Sequence, residues 1–284
     1  MKTSEKYIEE SARAFGIDPT TLEPLVGNSG ADVFRGDSKT GPRVLKIHSP
    51  DNVTNFGGKE SVIEGLHYQE GLAKQMTGDV AFAGPMRSKS GELCEEIDTD
   101  DGLRIAMAFE FFPGKEVYHR VDGHQIPIND PEIGGLLYER IGRAAGIMHR
   151  YTSEYPQWWS ATDADRADTP FSGRKDRDGA GSPHSIYDWI SYVNTGIVPE
   201  LQEHWESIST VLGSMTAERD EYGFIHFDYT QANIMYDFER VMVFDHNGVV
   251  GQFVYDIGSS FSSSDSAGVQ QEHRREYWLR FVSG

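Results

Sequence analysis

Asp228, Asn233 and Asp245 are the side chains whose types and spacing could do chemistry. They stand in Phe224-Ile225-His226-Phe227-Asp228-Tyr229-Thr230-Gln231-Ala232-Asn233-Ile234-Met235-Tyr236 and, after a turn at Asp237 to Arg240, in Val241-Met242-Val243-Phe244-Asp245. The order is apolar strand, polar loop, apolar strand, turn, apolar strand, carboxylate. It suits phosphoryl transfer. Asp228 could orient an attacking hydroxyl and accept its proton. Asn233 and Asp245 could hold Mg²⁺, a hard cation that takes oxygen ligands and usually keeps several waters.

Other elements must bring a phosphate donor to that loop. Leu22 to Gly36 and Arg43 to Ile47 read as a hairpin closed by Lys39-Thr40-Gly41-Pro42. Its front turn carries Gly27, Asn28, Ser29 and Gly30, small residues that let backbone N–H groups approach phosphates. Glycine turns are common, so Lys46 is more informative: it sits between Leu45 and Ile47 and projects from the opposite face of the strand. Residues 3–15 read as a helix that Ser4 can cap, with Ile8, Ala12 and Phe15 on one face. Asn55 to Met76 reads as a second helix; it carries Glu60, Glu64 and Glu70, and Gly65 and Gly71 weaken it. Ala81 to Arg87, Glu92 to Ile97 and Leu103 to Phe112 read as strands between strong turn signals. Pro131 to Thr152 has a helical apolar stripe, Glu154 to Ser185 has no periodicity, and Ile186 to Met215 reads as one or two helices. A last helix is expected around Tyr277 to Phe281.

Together these features resemble the aminoglycoside phosphotransferase and choline kinase superfamily, small-molecule kinases that share the protein-kinase fold. The family reads His-Gly-Asp-x-x-x-x-Asn, an apolar strand, Ile-Asp-Phe/Trp, then Tyr-Asp-(Leu/Ile)-(Ala/Gly). The matches are His226, Asp228, Asn233, Asp245 and Tyr255-Asp256-Ile257-Gly258. Phe227 departs from the usual Gly, and His246-Asn247 depart from the residues usual after the second Asp. Val44 to Ile47, Ala106 to Gly114 and Ile141 to Arg150 resemble the family's lysine strand, interlobe linker and Leu-Gly-x-x-Leu-Ala-x-Leu-His helix.

The resemblance implies an α+β, two-lobe, protein-kinase-like fold. A small antiparallel-sheet N-lobe would cover residues 1–110 and a mostly helical C-lobe residues 111–284. It implies transfer of the γ-phosphate of ATP (or GTP) to a hydroxyl of a small molecule: an aminoglycoside, an amino alcohol, homoserine or similar. In that scheme Asp228 is the catalytic base, and His226 and Asp256 brace its loop. Asn233 and Asp245 hold Mg²⁺. Lys46, steadied by Glu64, grips the phosphates, and backbone at Glu110, Phe111 and Phe112 takes the base of the nucleotide. His149 is expected to anchor structure. Nine residues separate Asp245 from Tyr255 with no Ala-Pro-Glu landmark, which argues against a peptide acceptor. A bacterial Ser/Thr protein kinase of this fold and a nucleotide-binding pseudokinase are the rival readings. Family members commonly continue past the position of Phe281, so a truncated C-terminus is expected.

The totals agree with this class. At 284 residues the chain exceeds the ~250 at which single cores tend to divide. No segment approaches the ~18 uninterrupted apolar residues of a membrane span, and the N-terminus lacks an apolar signal core. Cys94 is the only cysteine, which excludes an intramolecular disulfide and fits a reducing cytoplasm. The neighbouring acids would raise its pKa, so it reads as structural. A net charge of −19 disfavours nucleic acid and anionic membrane as partners. It would favour a cationic acceptor, although solubility alone is the plainer reading.

Overall fold

Leu45 and Ile47 are fully buried, while Lys46 between them faces the other side of the strand, the two-residue period of β structure. This strand is β3 (Gly41–His48) in the computed structural model of the chain. The structure describes residues 3–25, 31–55, 58–121, 124–127, 131–155, 222–226, 228–246, 249–262 and 274–284. β1 (Glu23–Pro24), β2 (Ala31–Ser38) and β3 pair in that order, and β3 pairs with β7 (Gly102–Glu110). β5 (Pro85–Met86) and β6 (Glu95–Thr99) both lie against the far edge of β7. Every pairing in this sheet is antiparallel.

Helices cover the sheet. α1 (Glu5–Ala14) buries Ala12 against Leu45, Ile47 and Ala106. Ser4 occupies the N-cap position, but its side chain makes no capping hydrogen bond. The helix expected over Asn55 to Met76 is α3 (Lys59–Gln75), which starts four residues later, and a separate short helix, α2 (Pro50–Asn55), precedes it. Gly58 separates them at φ 92°, a backbone conformation readily open only to glycine.

The stretch Ala81 to Arg87, expected as one strand, serves two sheets. Its start is β4 (Val80–Phe82), in a second sheet with β8 (Lys115–Glu116), β12 (Ile234–Tyr236) and β13 (Val241–Val243), ordered β4-β13-β12-β8. β4 runs parallel to β13. The chain then leaves that sheet: Ala83 N still donates to Val243 O (2.9 Å), whereas the Gly84 carbonyl accepts from Glu110 N (3.2 Å) in the first sheet. Residues 82–85 are all buried where the chain crosses between the sheets, and an apolar run of that kind reads equally well as one buried strand. A hairpin of β9 (Tyr118–Val121) and β10 (His124–Pro127) leads on towards the helical part.

α4 (Pro131–Glu154) is the spine of the C-terminal half. Leu137, Tyr138, Ile141, Ala144, Ala145 and Met148 recur at helical spacing and pack in one core with Tyr229, Ile234, Val241 and Val243. Tyr68 and Leu72 of α3, with Met76 just past its end, belong to that same core, so α3 is bound to both halves. β11 (Tyr222–Ile225) pairs with β14 (Val249–Gln252), and α5 (Val254–Ser262) and α6 (Arg274–Ser283) follow. α6 lies on α4 so closely that a Cβ at Gly142 would overlap the Phe281 carbonyl. The aperiodic stretch and helices expected between Glu154 and Met215 fall almost wholly at 156–221, outside the described residues. Among the described residues no helix is long and apolar enough to cross a membrane.

Candidate active site

The β12–β13 hairpin makes the site. Ile234 lies opposite Val243, so Asn233 and Phe244 meet just beyond the ladder, where Phe244 N donates to Asn233 O (3.1 Å). Asn233 and Asp245 therefore emerge at one end of the hairpin. Asp245 has φ 60°, a left-handed conformation uncommon for a residue with a side chain. Such backbone persists where its surroundings over-determine it, and it recurs at functional sites. Asn233 Nδ2 donates to both Asp228 O (2.9 Å) and Asp228 Oδ2 (2.8 Å), which turns the amide oxygen away from Asp228. Asp228 itself is exposed.

Lys46 reaches this end of the hairpin from the first sheet. Its Nζ donates to Asp245 Oδ1 at 2.5 Å across 199 positions of sequence. Burial by itself would raise the pKa of Asp245. The charge and hydrogen bond of Lys46, with lesser contributions from His226 and His48, outweigh it and hold the carboxyl below its usual range. Asp245 is thus an anion at neutral pH, with Lys46 on one oxygen.

Glu64 is not brought to Lys46. It is exposed on α3, near enough to Tyr155 for its charge to help raise that phenol. The expected Lys46–Glu64 pair is therefore not the one in the structure. The polar group α3 does send inward is Gln69, a buried side chain whose Nε2 donates to the carbonyl of His246 (3.2 Å). The expectation rested on alignment to a family pattern of Glu followed four positions on by an apolar residue; the angle of the helix about its own axis is set by Val62, Leu66, Tyr68 and Leu72, which are buried and leave Glu64 outside.

Behind the loop lies a buried polar cluster. Asp256, fully buried, accepts from His226 N (2.8 Å) and is bonded to His149 Nε2 (3.2 Å). Burial alone would raise the pKa of Asp256, but the hydrogen bond and charge of His149, then of His226, hold it below the usual value. His226 Nε2 donates to the Phe244 carbonyl (2.8 Å), which assigns its proton to that nitrogen and joins the Asp228 loop to the Asp245 strand. His149 stacks on Phe253 at 4.3 Å. The bracing expected of His226 and Asp256, and the structural anchoring expected of His149, are one network.

Glu110, Phe111 and Phe112 end β7 and continue past it. Glu110 N is engaged by Gly84 O, Phe111 lies under the Arg35 guanidinium, and Phe112 is buried with Ala83 and Met242. Gly27, Asn28, Ser29 and Gly30 lie outside the described residues, as do Phe227 and Asn247. Cys94 is buried and free. Burial, then the charge of Glu96, raise its thiol pKa. Gln69 and Gln231 are the site residues that reading the sequence missed. Gln69 is a carboxamide among the buried Leu66, Tyr68 and Leu72, an apolar series that was the available signal, whereas Gln231 stands between the buried Tyr229 and Asn233 and carried no such signal.

Residues 21–280 match the model of a phosphotransferase enzyme family. No curated protein matches the chain. Among solved structures, a microcompartment-associated aminopropanol kinase superposes with a TM-score of 0.66 at 15% identity, over 99% of this chain and 81% of that one. An amicoumacin kinase in complex with AMP-PNP, Ca²⁺ and Ami gives 0.64 at 17%, over 99% and 77%. A spectinomycin phosphotransferase in complex with ADP and spectinomycin gives 0.60 at 12%, over 100% and 80%. At such identities the structural likeness establishes the fold, a two-lobe protein-kinase-like α+β architecture. The chain belongs to the phosphotransferase enzyme family and is an ATP-dependent kinase.

Proposed function

We propose that this enzyme transfers the γ-phosphate of ATP to a hydroxyl group of a small molecule, with Asp228 as the base. The observation that carries the reading is the arrival of Lys46, from 199 positions away, on Asp245 at the hairpin end where Asp228 meets Asn233. Asp228 is exposed, so an acceptor hydroxyl can reach it. Among the described residues Lys46 is held by one carboxylate oxygen, and it can exchange that contact for phosphate oxygens. The Asn233 amide oxygen and the second oxygen of the anionic Asp245 are hard donors that fit Mg²⁺, which typically takes one or two protein oxygens besides phosphates and water. The metal, when bound with nucleotide, neutralises phosphate charge. His226 and Asp256 keep the loop in place. We put the lobe boundary at residues 110 and 111, where β7 ends.

The acceptor class we favour is a small amino-bearing alcohol. The net charge of −19 favours a cation. The aminopropanol and spectinomycin enzymes that superpose on the chain are named for acceptors of this kind. A reducing, ATP-supplied cytoplasm suits the single buried thiol. The test is Mg²⁺-dependent consumption of ATP and GTP against a panel of amino alcohols, aminoglycosides and neutral hydroxylated metabolites. One acceptor should stimulate turnover, and Asp228→Asn should reduce that turnover by about 10²–10⁴-fold while nucleotide still binds. Turnover within a few-fold of wild type in Asp228→Asn would refute the role of Asp228.

A further inference from the structure

The loop between Asp228 and Asn233 alternates. Asp228, Thr230 and Ala232 face outward to different degrees, whereas Tyr229, Gln231 and Asn233 are buried. The two inward side chains flanked by the reactive pair both end on a single turn of α4. The Tyr229 hydroxyl donates to the Ile141 carbonyl (2.6 Å), and Gln231 Nε2 donates to the Tyr138 hydroxyl (2.5 Å). Tyr138 and Ile141 are three positions apart, so their contacts lie on one helix face. Burial raises the Tyr229 phenol well above its ordinary pKa and keeps it a neutral donor. Tyr138 in turn stacks on Tyr277 of α6, at 4.9 Å between ring centres and 15° between planes. The tyrosine pair fits because Gly134, directly beneath Tyr277, has no side chain to occupy that space.

We propose that Gln231 and Tyr138 are positioning residues for phosphoryl transfer: with Tyr229 they clamp the catalytic loop onto α4, and Tyr277 of α6 holds the clamp from behind. This rests on the reading of Asp228 as the base. Neither residue touches the reacting atoms. Their effect is to fix where the Asp228 carboxylate and the Asn233 amide stand relative to each other, since any slide of Gln231 along α4 moves both ends of a six-residue loop. A displacement of about 1 Å can cost on the order of 10²-fold in rate.

The experiment uses Gln231→Leu, Tyr138→Phe and the double variant, in the full chain. Each single variant removes one end of the Gln231–Tyr138 hydrogen bond and should lose both stability and rate. Replacing both ends by apolar groups exchanges that polar contact for an apolar one, so the double variant should recover stability. A positioning role requires that kcat stay about tenfold down in the double variant while the KM for nucleotide changes less than twofold. Recovery of kcat along with stability would make the pair merely structural and overturn the proposal. Amide hydrogen exchange over residues 228–233 gives a second readout that needs no acceptor: it should be faster in all three variants while α4 and α6 keep their protection. Unchanged exchange there would also overturn the proposal. If wild type turned over no acceptor at all, the phosphotransfer reading would fall, and exchange would still decide whether the clamp exists.

Discussion

Two buried histidines make the fold sensitive to mild acid. His48 and His246 are both buried, and both pKa values are lowered to about 3 from an ordinary 6.5. Desolvation is the main cause in each. The charge of Lys46 adds to it at His48, and that of His226 at His246. Below pH 6.5 the unfolded chain binds these protons and the folded chain does not, so stability falls as pH falls. Taking 6.5 unfolded and about 3 folded, each imidazole costs about 0.7 kcal/mol between pH 7 and 6 and about 1.9 kcal/mol between pH 7 and 5. The pair thus costs about 4 kcal/mol by pH 5, a large part of a typical ~5–15 kcal/mol. Asp245 and Asp256 act in another window. Their folded pKa values are lowered from 3.8, so their stabilisation is fully present above about pH 4 and is lost as pH falls through the lowered values. They add almost nothing to the slope between pH 7 and 5. The assay is urea unfolding followed by tryptophan fluorescence at pH 7, 6 and 5, for wild type, His48→Asn and His246→Phe. Each substitution should remove about 1.9 kcal/mol of the pH-dependent loss, whatever it does to stability at pH 7. A wild-type loss below about 1 kcal/mol, or a loss untouched in both variants, would refute the reasoning.

Three further outcomes follow from the geometry. Because Glu64 is exposed and Lys46 pairs with Asp245, Glu64→Gln should leave turnover within about twofold, whereas Lys46→Met should reduce it by about 10²-fold or more; steady-state kinetics of both variants checks this. Gly142→Ala should cost about 3 kcal/mol, since the added Cβ meets the backbone of Phe281, while Gly146→Ala on the same helix finds open space and should stabilise by about 0.5–1 kcal/mol; thermal unfolding compares them. Asp256→Leu leaves the buried His226 N–H and His149 ring without their shared acceptor and should cost about 3 kcal/mol, with kcat falling more than the nucleotide KM changes, measurable by denaturation and kinetics together.

The catalytic stretch was legible because its signals are local. An apolar strand, a polar loop and an apolar hairpin have periods that need no partner to be read, and Asn233 and Asp245 then converge by hairpin register alone. The approach of Lys46 could be anticipated from the alternation around it, which put it on the face opposite Leu45 and Ile47. α4 was equally plain, because its stripe repeats over 24 residues. Residue types and spacing near the site thus pointed to phosphotransferase chemistry and gave the order of the elements around it.

Tertiary packing decided the rest. Whether Ala81 to Arg87 is one strand or two depends on which sheet edge each half meets, and its buried run over residues 82–85 reads equally as a single strand. Which α3 residue points at the site depends on the rotation of the helix about its axis. Burial of Tyr68 and Leu72 in the α4 core fixes that rotation, sending Gln69 inward and Glu64 to solvent. The Gln231–Tyr138 contact joins positions 93 apart, and the His149–Asp256 contact joins positions 107 apart. A side chain's type shows what it can bond to. Only the packed chain determines which of many distant partners comes within hydrogen-bonding distance.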